Sequence, residues 1–167
     1  RVRKEFGLPV TTDIHGEWQA PPAADRVDML QIPAFLCRQT RLIEAAARTG
    51  KPLHIKKGPW ASPEEMVAAA YKAAEARPAP TGSGAQQDIY IGERGTFFGY
   101  DLLVNDFLGV SDILEEDVPV IYDATHSLRH RVDGYDVAVL AERMARAALA
   151  VGVSGLFFEV HPQPDRA

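Results

Sequence analysis

Six apolar, strand-like runs, each closing on charged or polar residues and several separated by helical patterns, predict an α/β chain of the (β/α) TIM-barrel type. The runs end at TDIH (12–15), QIPA (31–34), KKG (56–58), ERG (93–95), DATH (123–126) and EVHP (159–162). Barrel enzymes gather their chemistry at the carboxyl ends of their strands. Here those ends bring Lys56 and Arg94, suited to anions, and His126 and Glu159, suited to a metal or a proton. The mixture points to an enzyme for a small phosphorylated substrate.

The elements follow in order. The first residues, RVRKE, have the look of the tail of a helix. Residues 8–14 and 27–32 read as the first two strands. Residues 38–49 read as a helix, with Leu42, Ile43, Ala46 and Ala47 on one face and Gly50 as its stop. Residues 52–56 form the third strand. A strong helix start follows: Ser62 as N-cap, Pro63 in the first turn and Glu65 completing a capping box. Met66, Val67, Ala70, Tyr71 and Ala74 give that helix its buried stripe. Residues 77–87 (RPAPTGSGAQQ) read as a flexible surface loop. Residues 88–91 are the fourth strand, 102–114 a helix with a break near Gly109, and 118–122 the fifth strand. Residues 135–151 form a long amphipathic helix ended by Gly152, and 156–160 the sixth strand. Strands alternating with helices imply a parallel sheet with right-handed crossovers.

The 167 residues, 46% hydrophobic and 25% charged, suit one domain with a real core. A closed eight-unit barrel typically takes roughly 250 residues, so the chain is short for one. Eighteen Lys and Arg against 23 Asp and Glu give a net charge of −5, which argues against a nucleic-acid partner. The one cysteine, Cys37, excludes an internal disulfide framework, fits a reducing cytoplasm and reads as a buried thiol. No apolar run approaches the roughly 20 residues of a membrane span. The N-terminus lacks an apolar signal core.

Alternation along a strand sends one of Lys56 and Lys57 into the barrel and the other toward the helices. The inward ammonium suits a phosphate or carboxylate; a solvated pair is the bland alternative. Arg94 stands between Glu93 and Gly95. Its fork can hold phosphate bidentately beside a backbone that a ligand can approach. A Glu–Arg salt bridge is the competing reading. His126 follows Asp123, and Glu159 precedes His161, so imidazole and carboxylate could share a divalent metal or move a proton. Asp13 and His15 face one way along the first strand. His54, two residues before Lys56, and His130, in a basic loop, read as structural histidines. Gly82-Ser83-Gly84 lacks the strand and helix that a nucleotide-phosphate loop requires. No serine elbow occurs.

Taken together, TDIH (12–15), LQIPAFLCRQT (30–40), AARTGKP (46–52), IKKG (55–58), ERGTFFGY (93–100), DATHS (123–127) and ARAALAVGVSGLFFEVHPQPDRA (145–167) resemble the 3-deoxy-D-manno-octulosonate 8-phosphate synthase family. LQIPAFLCRQT and EVHPQPDRA carry the resemblance most specifically. It implies an eight-stranded (β/α) barrel and a homo-oligomer, usually a tetramer. It also implies condensation of phosphoenolpyruvate with arabinose 5-phosphate, with release of phosphate, for lipopolysaccharide synthesis. A divalent metal ion serves one branch of the family. By the same resemblance, Lys56 and Arg94 hold the phosphate and carboxylate of phosphoenolpyruvate. Gln31 and the backbone near Ala34 shape that pocket, Asp13 and His15 line the reaction centre, and His126 and Glu159 match metal-ligand positions.

The likeness also implies that this chain is an incomplete barrel of six βα units, strands three to eight, and thus a fragment or short form with little turnover of its own. The family's first two strands carry a further phosphoenolpyruvate lysine, a KANRSS-like sugar-phosphate segment and the Cys or Asn that divides the metal and metal-free branches. A last metal Asp follows the EVHPQPDRA stretch, and Asp165 does not replace it. Pro59-Trp60 stands where Gln-Phe is common. Gly16-Glu17-Trp18 replaces a usual Glu-Pro, residues 127–136 lack a Gly- and Ser-rich stretch, and the 77–87 loop is long. Three alternatives remain open at this level: a non-catalytic phosphate-binding relative, a sister synthase making a seven-carbon sugar acid, and a metal-dependent barrel hydrolase.

Overall fold

The computed structural model describes residues 2–78, 88–100, 102–129 and 136–163. In chain order these form helix α1 (Val2–Phe6), β1 (Thr11–Asp13), α2 (Ala20–Ala24), β2 (Met29–Ile32), α3 (Thr40–Ala47), β3 (Leu53–Lys56), α4 (Pro63–Ala76), β4 (Ile89–Glu93), β5 (Thr96–Phe98), β6 (Leu102–Val104), α5 (Phe107–Glu115), β7 (Val120–Asp123), α6 (Val137–Val151) and β8 (Gly155–Phe157). Six strands make one sheet, ordered β1-β2-β3-β4-β7-β8, with every neighbouring pair parallel. Sequential parallel strands with intervening helices give a curled, incomplete (β/α)8 barrel. The expected 8–14 strand is confined to Thr11–Asp13, and the expected 156–160 strand to Gly155–Phe157. Both are edge strands, paired on one side only; β1 is exposed throughout and β8 is half-buried.

The core lies between the sheet and its helices. Leu30, Ile32, Leu53, Ile55, Ile91 and Val120 from the central strands pack against Ile43, Ala46, Met66, Ala73 and Ile113 from the helices. The α4 start is as its sequence dictates: Ser62 Oγ accepts the Glu65 N–H at 3.3 Å, and the Ser62 N–H donates to Glu65 Oε2 at 3.1 Å.

One segment departs from expectation. Residues 102–104 are strand β6, not helix, and pair antiparallel with β5. Leucine and valine serve either structure, and here Leu103 is buried while its neighbours Leu102 and Val104 face outward, the period of a strand. The helix begins only after Asp106, whose carboxylate accepts the Gly109 N–H at 2.9 Å, so Gly109 lies inside α5 and the break precedes it. The β5–β6 hairpin leaves β4 through Gly95, at φ +96°, where a β-carbon would come within 2.9 Å of Leu103 Cβ. The 77–87 loop lies outside the described residues from 79 onward, as does His130.

Candidate functional site

The carboxyl ends of β3, β4 and β7 converge on Asp123. Its carboxylate is fully buried and Oδ2 accepts two hydrogen bonds, from Lys56 Nζ at 2.8 Å and from His126 Nδ1 at 2.8 Å. Its Oδ1 accepts the backbone N–H groups of His126 (2.9 Å) and Thr125 (3.2 Å). Burial alone would raise this carboxyl. The hydrogen bonds from His126 and Lys56, with the lysine's charge, outweigh it and hold Asp123 at about 2. Lys56 Nζ also stands 3.8 Å above the Phe157 ring of β8, a cation–π contact that fixes the ammonium from below.

Strand register settles which lysine faces in. Lys56 lies opposite Gly92, so Lys56 and Arg94 fall on one side of neighbouring strands, and Lys57 and Glu93 on the other. On that other side Lys57 Nζ meets Glu93 Oε2 at 3.5 Å and donates to Thr96 Oγ1 at 2.6 Å. Burial raises the Glu93 carboxyl, with Lys57 and the Gly95 N–H opposing. Glu93 is therefore the structural partner of Lys57 and forms no salt bridge with Arg94.

Arg94 is only 6% exposed. Its guanidinium has no hydrogen-bond or ion-pair partner among the described residues. It lines a cleft of about 250 Å³ with Phe35, Pro59, Phe97, Tyr100 and Arg129. Burial lowers its pKa, while Asp123, across the site, works the other way. Lys56, Arg94 and Arg129 thus outnumber Asp123 and Glu159 at this end of the sheet, a positive balance suited to an anion.

His126 opens the short 3-10 turn His126–Leu128 after β7. Its Nε2 faces Glu159 Oε2 at 3.3 Å, and Glu159 is exposed. The buried Asp123 carboxylate holds Nδ1 and so turns Nε2 toward Glu159, leaving Nε2 as the nitrogen that could meet a cation. A histidine whose other ring nitrogen is held by a carboxylate is the usual setting of a metal ligand, so this donor set fits a divalent ion in part. Among the described residues no group of three or more His, Cys, Asp and Glu is arranged to hold one.

The remaining expected residues sit elsewhere. Asp13 and His15 are on or beside β1, at the opposite sheet edge from β8, and both are exposed. They are not gathered with His126 and Glu159. Gln31 is buried and donates through Nε2 to Asp13 Oδ1. Ala34, buried, opens the 3-10 turn Ala34–Leu36 after β2. Cys37 is buried and reduced, and burial pushes its thiol up. Two participants escape the sequence reading. Asp123 was visible three residues before His126, a spacing that lets a carboxylate reach the imidazole. Phe157 carried no signal short of the fold.

Comparison with known proteins completes the picture. The chain is 49% identical to a protein named 2-dehydro-3-deoxyphosphooctonate aldolase from Magnetococcus marinus, over all of this chain and 57% of that protein. It is 47% identical to the protein of that name from Verminephrobacter eiseniae, over all of this chain and 59% of the relative. For the Granulibacter bethesdensis protein of the same name the values are 44%, 99% and 57%. The chain therefore spans less than two thirds of the length of these curated relatives. The family model described as the DAHP synthetase I family matches residues 1–167, and with these relatives it establishes that the chain belongs to that family.

Proposed function

We propose that this chain supplies the anion-binding side of an aldol-type synthase that joins phosphoenolpyruvate to arabinose 5-phosphate. The observation that carries the reading is the buried Arg94, without a partner among the described residues, beside the Lys56–Asp123 pair at the carboxyl ends of adjacent strands. Arg94 receives the phosphate or carboxylate of phosphoenolpyruvate through its fork, and Lys56 adds a point charge from the next strand. Asp123 keeps the ammonium inward instead of neutralising the whole site. By the family resemblance, Gln31 and the Ala34 turn would contribute from the β2 side of the barrel interior, and Asp13 and His15 from the far edge at β1.

In the reaction, C3 of phosphoenolpyruvate attacks the aldehyde carbon of the sugar, water adds at C2, and the bond from C2 to the phosphate oxygen breaks. One molecule each of phosphoenolpyruvate, sugar phosphate and water gives the eight-carbon phosphorylated keto acid and inorganic phosphate. The aldehyde oxygen takes up a proton, and the attacking water gives one up. His126, oriented by Asp123, is placed to move a proton at Nε2. Lys56 and Arg94 stabilise the anionic groups as charge redistributes. A divalent ion, when bound, would be held in part by His126 and Glu159 and would polarise the aldehyde or the water. The relatives' shared name, with its octonate, supports the eight-carbon product over a seven-carbon one.

The single cysteine and the phosphorylated metabolites of the proposed reaction support a cytoplasmic setting; no helix among the described residues is long and apolar enough to cross a membrane. The outward-facing Phe35, Trp60, Phe97 and Phe98 beside the cleft support self-association. The function is tested by titration calorimetry with phosphoenolpyruvate and by phosphate release with both substrates present. Binding weakened roughly ten- to hundredfold by Arg94→Ala is expected. Wild-type protein that fails to bind phosphoenolpyruvate, or an Arg94→Ala variant that binds it equally well, overturns the reading.

A further inference from the structure

Strand register puts Asp13, Gln31 and His54 in one row across β1, β2 and β3. The row is hydrogen-bonded throughout: Gln31 Nε2 donates to Asp13 Oδ1, and His54 Nδ1 lies 2.8 Å from Gln31 Oε1. The chemistry of the three groups fixes every proton in it. A carboxylate only accepts, so the Gln31 amide must present its NH2 to Asp13. Its carbonyl oxygen then faces His54 and needs a donor, so Nδ1 carries the imidazole proton. Nε2 is left as a bare lone pair.

That second nitrogen is the buried side-chain polar atom without a hydrogen-bond partner among the described residues. His54 is 2% exposed, and Nε2 lies against Gly92 of β4, where any β-carbon would overlap it. A proton on Nε2 would be buried with nothing to accept it. The two charged groups that face the ring act in opposite directions, and Lys56 outweighs Asp123. Lys56, two residues along the strand, disfavours a second cation, and Asp123 on β7 opposes it less strongly. Asp13 is reached only through Gln31, and Gly92 on β4 presents no charge. Burial foremost, and then Lys56, bring the imidazole down to about 4.

We propose that His54 is a positioning residue of the anion site: a neutral, Nδ1-protonated imidazole that locks the Gln31 amide, and through it the Asp13 carboxylate on β1, without placing a second cation beneath Lys56. The lock itself is a statement about this chain's own hydrogen bonds; only its effect on ligand binding rests on the function proposed above. An orphaned ring nitrogen is costly when buried. The row accounts for why a histidine is held there: its other nitrogen supplies the donor on which Gln31 depends.

The test uses the whole 15N-labelled chain. Long-range 15N–1H correlation is expected to show His54 as the Nδ1–H tautomer, unchanged from about pH 5 to about pH 8, the range in which ordinary histidines titrate. An Nε2–H tautomer, or a His54 that titrates in that range, overturns the proposal without any variant being made. Two substitutions then probe the lock. His54→Asn keeps a donor where Nδ1 stands, whereas His54→Phe keeps only the bulk. The Gln31 side-chain NH2 protons are expected to exchange about tenfold faster in His54→Phe and at nearly the wild-type rate in His54→Asn, a factor of ten matching one modest hydrogen bond. Phosphoenolpyruvate binding should weaken about tenfold in His54→Phe and recover in His54→Asn. Should the wild type fail to bind phosphoenolpyruvate while the tautomer and the Gln31 protection hold, the functional reading falls and His54 keeps its role. Should His54→Phe leave Gln31 exchange unchanged, the positioning role falls instead.

Discussion

Replacing Asp123 by asparagine is the sharpest perturbation of this site. The carboxylate is fully buried and receives four hydrogen bonds, two of them from the cationic or ionisable groups Lys56 and His126. Asparagine offers one acceptor oxygen and a donor in place of the second. Either orientation of the amide therefore turns an NH2 toward donors that already point at it. The buried ammonium of Lys56 also loses its counter-charge. Holding Asp123 at about 2 against an ordinary 3.8 is worth about 2 kcal/mol to the folded state. Stranding the lysine raises the expected loss in Asp123→Asn to about 3–5 kcal/mol. Lys56→Met alone should cost less, because Asp123 keeps His126 and two backbone donors. The double variant Lys56→Met/Asp123→Asn should regain part of the loss, since it no longer buries an unpaired charge. Urea titrations of the four proteins give the cycle directly. A loss below about 1 kcal/mol in Asp123→Asn, or a double variant no more stable than that single one, would refute the buried-pair account. The pH dependence supplies an independent check. A carboxyl depressed in the folded state contributes its stability above its unfolded value and loses it as pH falls. The Asp123 contribution should therefore be complete above 3.8, fade toward about 2, and vanish from the pH profile of Asp123→Asn.

Arg94→Ala should weaken phosphoenolpyruvate binding roughly ten- to hundredfold, the worth of a charge-assisted hydrogen bond, while leaving the urea midpoint nearly unchanged, because the guanidinium has no described partner to lose. Loss of stability with unaltered binding would make Arg94 structural. Gly95→Ala should lower stability by about 1–3 kcal/mol, read from thermal unfolding, since it forces a side chain onto a backbone at φ +96° and against Leu103; an unchanged melting temperature would show that the hairpin can move aside. Gly92→Ala should be destabilising in the wild type and less so in the His54→Asn background, where the overlapping ring nitrogen is gone; equal losses in both would break the link between the two positions.

The parts of the fold legible in the sequence are those that local chemistry decides. Ser62, Pro63 and Glu65 specify the start of α4 whatever packs around it, and Gly152 stops α6 in the left-handed region. The buried centres of β2, β3, β4 and β7 are apolar runs and stand out as such. The ends of β1 and β8 were overextended because an edge strand is defined by its one neighbour, and no sequence pattern records where that pairing stops. Leu-Leu-Val at 102–104 fits both the helical and the strand period, so local pattern does not separate it from the helix that follows. The choice is made by β5, which lies across the Gly95 turn. At the site, the charged strand ends were visible, but the partition of Lys56 from Lys57 was not, since it depends on the register of β3 against β4. His54 reads as a structural histidine and is one; that only one of its nitrogens is bonded among the described residues follows from its packing against Gly92, which no local pattern records.

The two faces of β3 and β4 explain how a chain with net charge −5 presents a cationic site. Consecutive residues on each strand bring a basic pair, Lys56-Lys57, and a mixed pair, Glu93-Arg94. Alternation deals one member of each pair to either side of the sheet. On the helix side Lys57 meets Glu93 within a fully hydrogen-bonded network that runs through Thr96, Asn105 and Ser127 to the main chain of Asp123. That lysine is consumed by structure. On the interior side, of Lys56 and Arg94 only Lys56 is ion-paired among the described residues, and its carboxylate belongs to the residue whose carbonyl ends the network from behind. The same residue, Asp123, therefore anchors the structural network by its main chain and tethers the interior lysine by its side chain. Shifting β4 by one residue would set Arg94 opposite Lys57 and Glu93 opposite Lys56, neutralising the interior and leaving two cations buried under the helices. The charge of the site is thus a consequence of register, and the Gly95 turn and the Lys57–Glu93 pair hold that register in place.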